Sequence, residues 1–83
     1  MLQLQPQDVE TLRGIQAYGE LLIVTRRGGK PVPGAADARA WAEGLCARGI
    51  LFLERASQSD GFYAVTYTLT AKSDAFLRTR SAA

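Results

Sequence analysis

The sequence predicts a small α+β fold in one domain: helix, short strand, helix, β-hairpin, helix. Three observations carry that expectation. Two segments repeat apolar residues every three or four positions, as one face of a helix does. Two β-rich runs, Ile50 to Ala56 and Phe62 to Leu69, flank a polar turn containing glycine, the pattern of an antiparallel hairpin. No repeat, linker or low-complexity block interrupts them over 83 residues, a length that suits one small core. Hydrophobic residues make up 47% and charged residues 22%, which places the chain with folded domains rather than disordered ones.

The first helix begins at Pro6, whose missing N–H costs nothing in a first turn. Asp8 and Glu10 lie near the positive end of its dipole. Val9, Leu12, Ile15, Tyr18 and Leu22 follow the three/four spacing of one buried stripe, and Gly19 ends the helix near Tyr18. Leu21 to Thr25 reads as a short β-strand. The next stretch, TRRGGKPVPG, cannot hold a normal helix. Its glycines and prolines each oppose one, by roughly 1 and 3 kcal/mol per interior residue. It is either an irregular loop or a small hairpin turning at Arg27-Gly28-Gly29.

Ala35 to Arg48 is the clearest helix. Ala38, Trp41, Ala42 and Leu45 share a face, Cys46 flanks it, and Gly49 is a natural stop. Trp41 is expected to anchor the core. Ile50 to Ala56 follows as a strand, then SQSDG as a turn and Phe62 to Leu69 as the second strand. In that strand Tyr63, Val65, Tyr67 and Leu69 occupy one face, and Ala64, Thr66 and Thr68 the other. Thr70 caps a last helix from Ala71 to about Arg80, in which Phe76 and Leu77 provide the apolar contact.

The inventory excludes much chemistry. The chain has no histidine and one cysteine, Cys46, so Cys/His metal sites, histidine-assisted nucleophiles and an internal disulfide are not expected. The carboxylates (Asp8, Glu10, Glu20, Asp37, Glu43, Glu54, Asp60, Asp74) form no paired constellation for acid–base work. An enzyme is not expected, nor a cofactor or metal. No apolar run approaches the roughly 20 residues of a membrane span. MLQLQPQDVE lacks the basic start and apolar centre of a signal peptide, so the expected location is cytoplasmic. A net charge of +2 permits a nucleic-acid partner without requiring one.

Three segments carry a resemblance. LQPQDVETLRGIQAYGE, ARAWAEGLCARGILFLER and FYAVTYTLTAKSDAFL, in this order and spacing, resemble a winged helix-turn-helix domain of the MarR/PadR kind. They are similar to its first helix, its recognition helix running into the first wing strand, and its second wing strand leading to a closing helix. Ser73 stands where an LT-x-x-G motif has glycine. The resemblance implies one winged-helix-like domain over residues 1–83 and a DNA-associated regulator. It also implies a second helix across Leu21 to Gly34, where this chain departs; the helix-turn-helix here has a degenerate first half.

Base edges are read by hydrogen-bonding side chains. With Trp41 and Leu45 turned inward, the outer face of the recognition helix holds Ala36, Asp37, Arg39, Ala40, Glu43 and Ala47, of which only Arg39 suits a guanine. The wing turn SQSDG carries no cation. The basic residues lie elsewhere: Arg26, Arg27 and Lys30 cluster in the glycine stretch, where backbone amides also suit an anion. It is not a P-loop, since Lys30 precedes Pro31. The site expected from sequence is therefore Arg26, Arg27, Lys30, Arg39 and Arg55, contacting nucleic acid or another partner. The plainer alternative is a solvated basic loop. Lys72, Arg78 and Arg80 read as solubilising charge. Phe52, Phe62, Tyr63 and Tyr67 lie on or beside a ribbon that cannot bury both faces, which leaves an interface patch.

The expected function is a non-enzymatic regulatory binding protein, associating with DNA mainly through phosphates. The expected partner is DNA or a nucleic-acid-handling protein complex, with a homodimer also open to such a domain. The alternative is a protein-binding module on the same scaffold. A small phage or mobile-element inhibitor of a host nucleoprotein complex, anti-CRISPR-like, is an example.

Overall fold

The computed structural model describes residues 4–82, with side chains through residue 79. The elements run α1 (Pro6–Tyr18), β1 (Leu21–Arg27), β2 (Lys30–Pro31), α2 (Ala35–Ala47), β3 (Leu51–Ser59), β4 (Phe62–Leu69) and α3 (Ala71–Ala82). The α+β order read from the sequence is present, with a two-residue strand added. All four strands form one antiparallel sheet in the order β2-β1-β4-β3.

In α1 the stripe Val9, Leu12 and Ile15 is buried, as the spacing requires. Tyr18 and Leu22 leave it, at 80% and 54% exposure. The reason is local. Gly19 takes a left-handed conformation (φ 109°) and its N–H closes on the Ile15 carbonyl at 2.7 Å, so the chain turns out of the helix there.

The glycine–proline stretch resolves into a hairpin. β1 continues past Thr25 through a bulge between Val24 and Arg26, and turns on Gly28 and Gly29 at φ 61° and 78°. Two positive φ angles suit the tight turn whose twist matches paired strands, and glycine adopts them without Cβ strain. Arg27 then pairs with Lys30 and Arg26 with Pro31. Pro31, lacking an N–H, sits on a sheet edge, where no further ladder bond is required. The β3–β4 hairpin is also longer than expected. β3 runs to Ser59 rather than Ala56, because pairing persists to Ser59–Phe62 and only Asp60-Gly61 is left to turn.

The three helices cover one face of the sheet. The core takes Ile23, Leu51, Val65 and Tyr67 from that face, with Leu21, Tyr63 and Leu69 packed against it. Leu22, Val24, Phe52, Ala64 and Thr66, which alternate with these along the strands, lie outside that cluster, although Ala64 and Thr66 on the central strand are themselves buried. In α2 the buried residues are Ala35, Ala42 and Leu45, while Ala38 is exposed and Trp41 is half-buried. Trp41 is thus a packing residue at the core's edge rather than its centre. Its indole N–H donates to Asp8 Oδ1 at 3.0 Å and ties α2 to the start of α1. Burial, then Glu43, pushes the Cys46 thiol above its ordinary range, which disfavours the reactive thiolate.

Ser73 shows what the closing helix gains where the motif has glycine. Its buried hydroxyl donates to the Ile50 carbonyl at 2.6 Å, beside Thr70, whose hydroxyl donates to the Gly49 carbonyl at 2.7 Å. The pair pins the start of α3 to the turn between α2 and β3. Ser73→Ala is expected to lower stability by about 1 kcal/mol for the lost bond. Ser73→Gly should cost roughly 2 kcal/mol, since it adds glycine's helix penalty. Urea unfolding of both variants checks the magnitude and the order.

Candidate functional site

β1 and β3 run towards the same end of the sheet, and β2 and β4 run back from it, so both hairpins turn there. The turns touch. The Gly29 N–H donates to the Gly61 carbonyl at 2.8 Å. A Cβ built on Gly61 would come within 2.9 Å of the Gly29 nitrogen, closer than such atoms approach. The two tips meet backbone to backbone because Gly61 has no side chain, while Gly29 is free of steric conflict and serves its turn through a φ of 78°. Further back, the Thr25 hydroxyl donates to the Tyr63 carbonyl at 3.2 Å and holds β1 beside β4 behind the tip.

This contact carries cations to a β3–β4 turn that has none of its own. Arg26, Arg27 and Lys30 arrive from β1 and β2 at the end of the sheet where Asp60 and Gly61 turn β3 into β4. Arg26 is partly committed: its Nη2 donates to the Gly29 carbonyl at 3.0 Å and staples its own turn. Arg27 and Lys30 are exposed and directly opposed in register. Neither side chain has a hydrogen-bond or ion-pair partner among the described residues.

The other two residues expected at the site are set back from the turns, Arg39 against Tyr63, the β4 partner of Arg26, and Arg55 further along β3, opposite Thr66. Arg39 is half-buried, and its guanidinium lies over the Tyr63 ring, 5.6 Å from the centroid. Its Nε is 3.5 Å from Glu43 Oε2 and has no hydrogen bond, although buried. Arg39 therefore packs towards the sheet instead of pointing outward from α2. It precedes Ala42 and Cys46 by three and seven residues, which places it on the flank of the buried stripe. It also bears on Tyr67: burial pushes that phenol up, Glu43 adds to the effect, and Arg39 opposes both. Arg55 sits on β3, bound to Glu20 at 3.3 Å and Glu54 at 3.2 Å. That pairing neutralises much of its attraction for a distant anion.

Two other features are not basic. The sheet face away from the helices exposes Leu22 and Phe52, at 54% and 52%. An open pocket of about 280 Å³ between α1 and α2 is lined by Gln7, Asp8, Thr11, Leu21, Ile23, Ala38 and Trp41. A second, of about 310 Å³, lies beside Asp74, whose carboxyl is held below its ordinary range by hydrogen bonds from Gln16 and Arg78. Arg78 is thus tied to Asp74 at 2.8 Å, and the side chain of Arg80 lies outside the described residues. Among the described residues no His, Cys, Asp or Glu side chains gather in threes, and no helix is long and apolar enough to cross a membrane.

Gly61 was not among the residues expected at the site. Its signal was the Asp60-Gly61 dipeptide, which marks a turn but says nothing of what the turn touches. No protein-family model, curated protein or solved structure matches the chain.

Proposed function

We propose that this chain is a non-enzymatic, cytoplasmic regulatory protein on a winged-helix-like scaffold, which associates with nucleic acid through phosphate contacts at the joined hairpin tips. The observation that carries this reading is the exposed pair Arg27 and Lys30, unpartnered among the described residues, beside Arg26 on a tip shared with the wing. Recognition by α2 has less support, because Arg39 is engaged with Tyr63 and its neighbours on the outer face are alanines and acids. Affinity without much sequence choice follows, since phosphates position a protein and base edges specify.

Salt titrations on two unrelated duplexes test this. Wild type should bind both with similar affinity and a steep salt dependence, each phosphate contact contributing about 0.9 to the log–log slope. Replacing Arg26, Arg27 and Lys30 together by Ala should weaken both duplexes by a similar factor and flatten the slope by up to about three contacts. A preference for one duplex by orders of magnitude would instead point to base reading.

A second reading has its own observation. The helix-free sheet face, with Leu22 and Phe52 half-exposed around the Glu20–Arg55 pair, suits a protein partner. That partner would be a component of a nucleic-acid-handling complex or a second copy of the chain. A wild type that ignores duplex DNA even at low salt would leave this reading in place.

A further inference from the structure

We infer that Arg27 and Lys30 together hold a single phosphate group, so that the tip is one preset anion site rather than a diffuse basic loop. The inference rests on the phosphate-binding reading above and narrows it to one pair of side chains. The two residues are direct cross-strand partners on either side of a two-residue turn. Opposed residues on one sheet face have Cβ atoms about 5 Å apart, and like charges so placed repel. The free protein therefore holds two cations together with no carboxylate bound between them among the described residues. A phosphate accepting from both removes that repulsion and gains two charge-assisted hydrogen bonds.

The tip is stiff enough to make this a site. Gly28 and Gly29 form the turn, the Arg26 guanidinium holds the Gly29 carbonyl, and the Gly29 N–H is bound to the wing at Gly61. Little backbone ordering is left for the ligand to impose, which lowers the cost of binding. The components differ in kind. Arg27 offers a planar fork of donors, and Lys30 a compact charge on a flexible stem that can follow the phosphate. Asp60, in the turn that abuts Gly29, brings a carboxylate to the same end of the sheet and disfavours a second phosphate alongside the first.

Duplex binding by wild type, Arg27→Ala, Lys30→Ala and the double variant, each across a salt series, tests the inference. One shared phosphate predicts that each single change weakens binding about tenfold. The double change should then add no more than about a further twofold, because neighbours serving one ligand are not additive. All three variants should lose about one contact, 0.9, from the salt slope. Asp60→Asn should tighten binding. Independent phosphates would instead give about a hundredfold loss in the double variant and a slope lowered by two contacts, which overturns the shared site. A parallel titration with inorganic phosphate follows the amide resonances of Gly28, Gly29 and Lys30. Movement in wild type that the double variant abolishes supports the anion site, even where duplex binding is absent and the nucleic-acid reading has failed. If neither duplex nor inorganic phosphate moves those resonances, the site itself is overturned.

Discussion

Tyr67→Ala is expected to lose about 3–5 kcal/mol, a large fraction of the stability that a domain of this size has. Tyr67 is 2% exposed and lies mid-sheet on β4, paired with Leu21 on one side and Leu53 on the other. Its ring belongs to the main core cluster with Leu12, Ile15 and Leu45. Removing a buried aromatic side chain loses its transfer energy and leaves a cavity, about 3–5 kcal/mol together. A domain of this size has roughly 4–12 kcal/mol in total, so a chain near the lower end has almost nothing left. Tyr67→Phe separates the ring from its hydroxyl. It keeps the ring and removes the polar group beside Arg39 and Glu43, and should cost about 1 kcal/mol. Urea unfolding followed by circular dichroism gives both values. A Tyr67→Ala chain as stable as Tyr67→Phe would show that the core closes without this ring.

Gly61→Ala should be the most damaging change at the tip, though it removes no charge. The residue has φ 72°, where a Cβ costs about 1–2 kcal/mol. The new methyl would also stand 2.9 Å from the Gly29 backbone nitrogen, and no side chain can move aside to relieve it. The two tips must separate, giving up the Gly29–Gly61 hydrogen bond, worth about 1 kcal/mol. A total near 2–3 kcal/mol follows. Gly28→Ala is the matched control: its φ is 61°, but nothing lies within 4 Å of its added Cβ. It should pay only the backbone strain. Amide hydrogen exchange at Gly29 should quicken in Gly61→Ala and change little in Gly28→Ala. Equal effects of the two substitutions would mean the contact between the turns contributes nothing.

The Gly61 prediction marks the limit of what local pattern can reach. The helices were legible because each buries a stripe whose spacing survives in the sequence, as Val9, Leu12 and Ile15 show. The turns were legible because glycine and proline act within a few residues of themselves. The length of β3 was less so. Ser57, Gln58 and Ser59 are weak β-formers that read as a loop, and they extend only because β4 is there to pair with them. Arg39 was placed on the wrong side of α2 for a related reason. Its long stem can lie against the sheet while its charge meets Tyr63 and Glu43, and residue type alone reports only the charge.

The candidate site divides along the same line. The sequence alone determined which cations cluster near the glycines, that α2 carries few hydrogen-bonding side chains besides Arg39, and that the chain has no histidine and a single cysteine. It also determined that residues 25–34 would not form a helix, because glycine and proline oppose one whatever surrounds them. Only the tertiary structure decided that this segment joins the sheet and that its turn abuts Gly61, more than thirty residues away. It likewise decided that Arg39 and Arg55 are drawn into separate pairings. These outcomes depend on which strands lie side by side. Pairing across a sheet joins residues remote in the chain, and no local spacing records which partner a free strand edge will find.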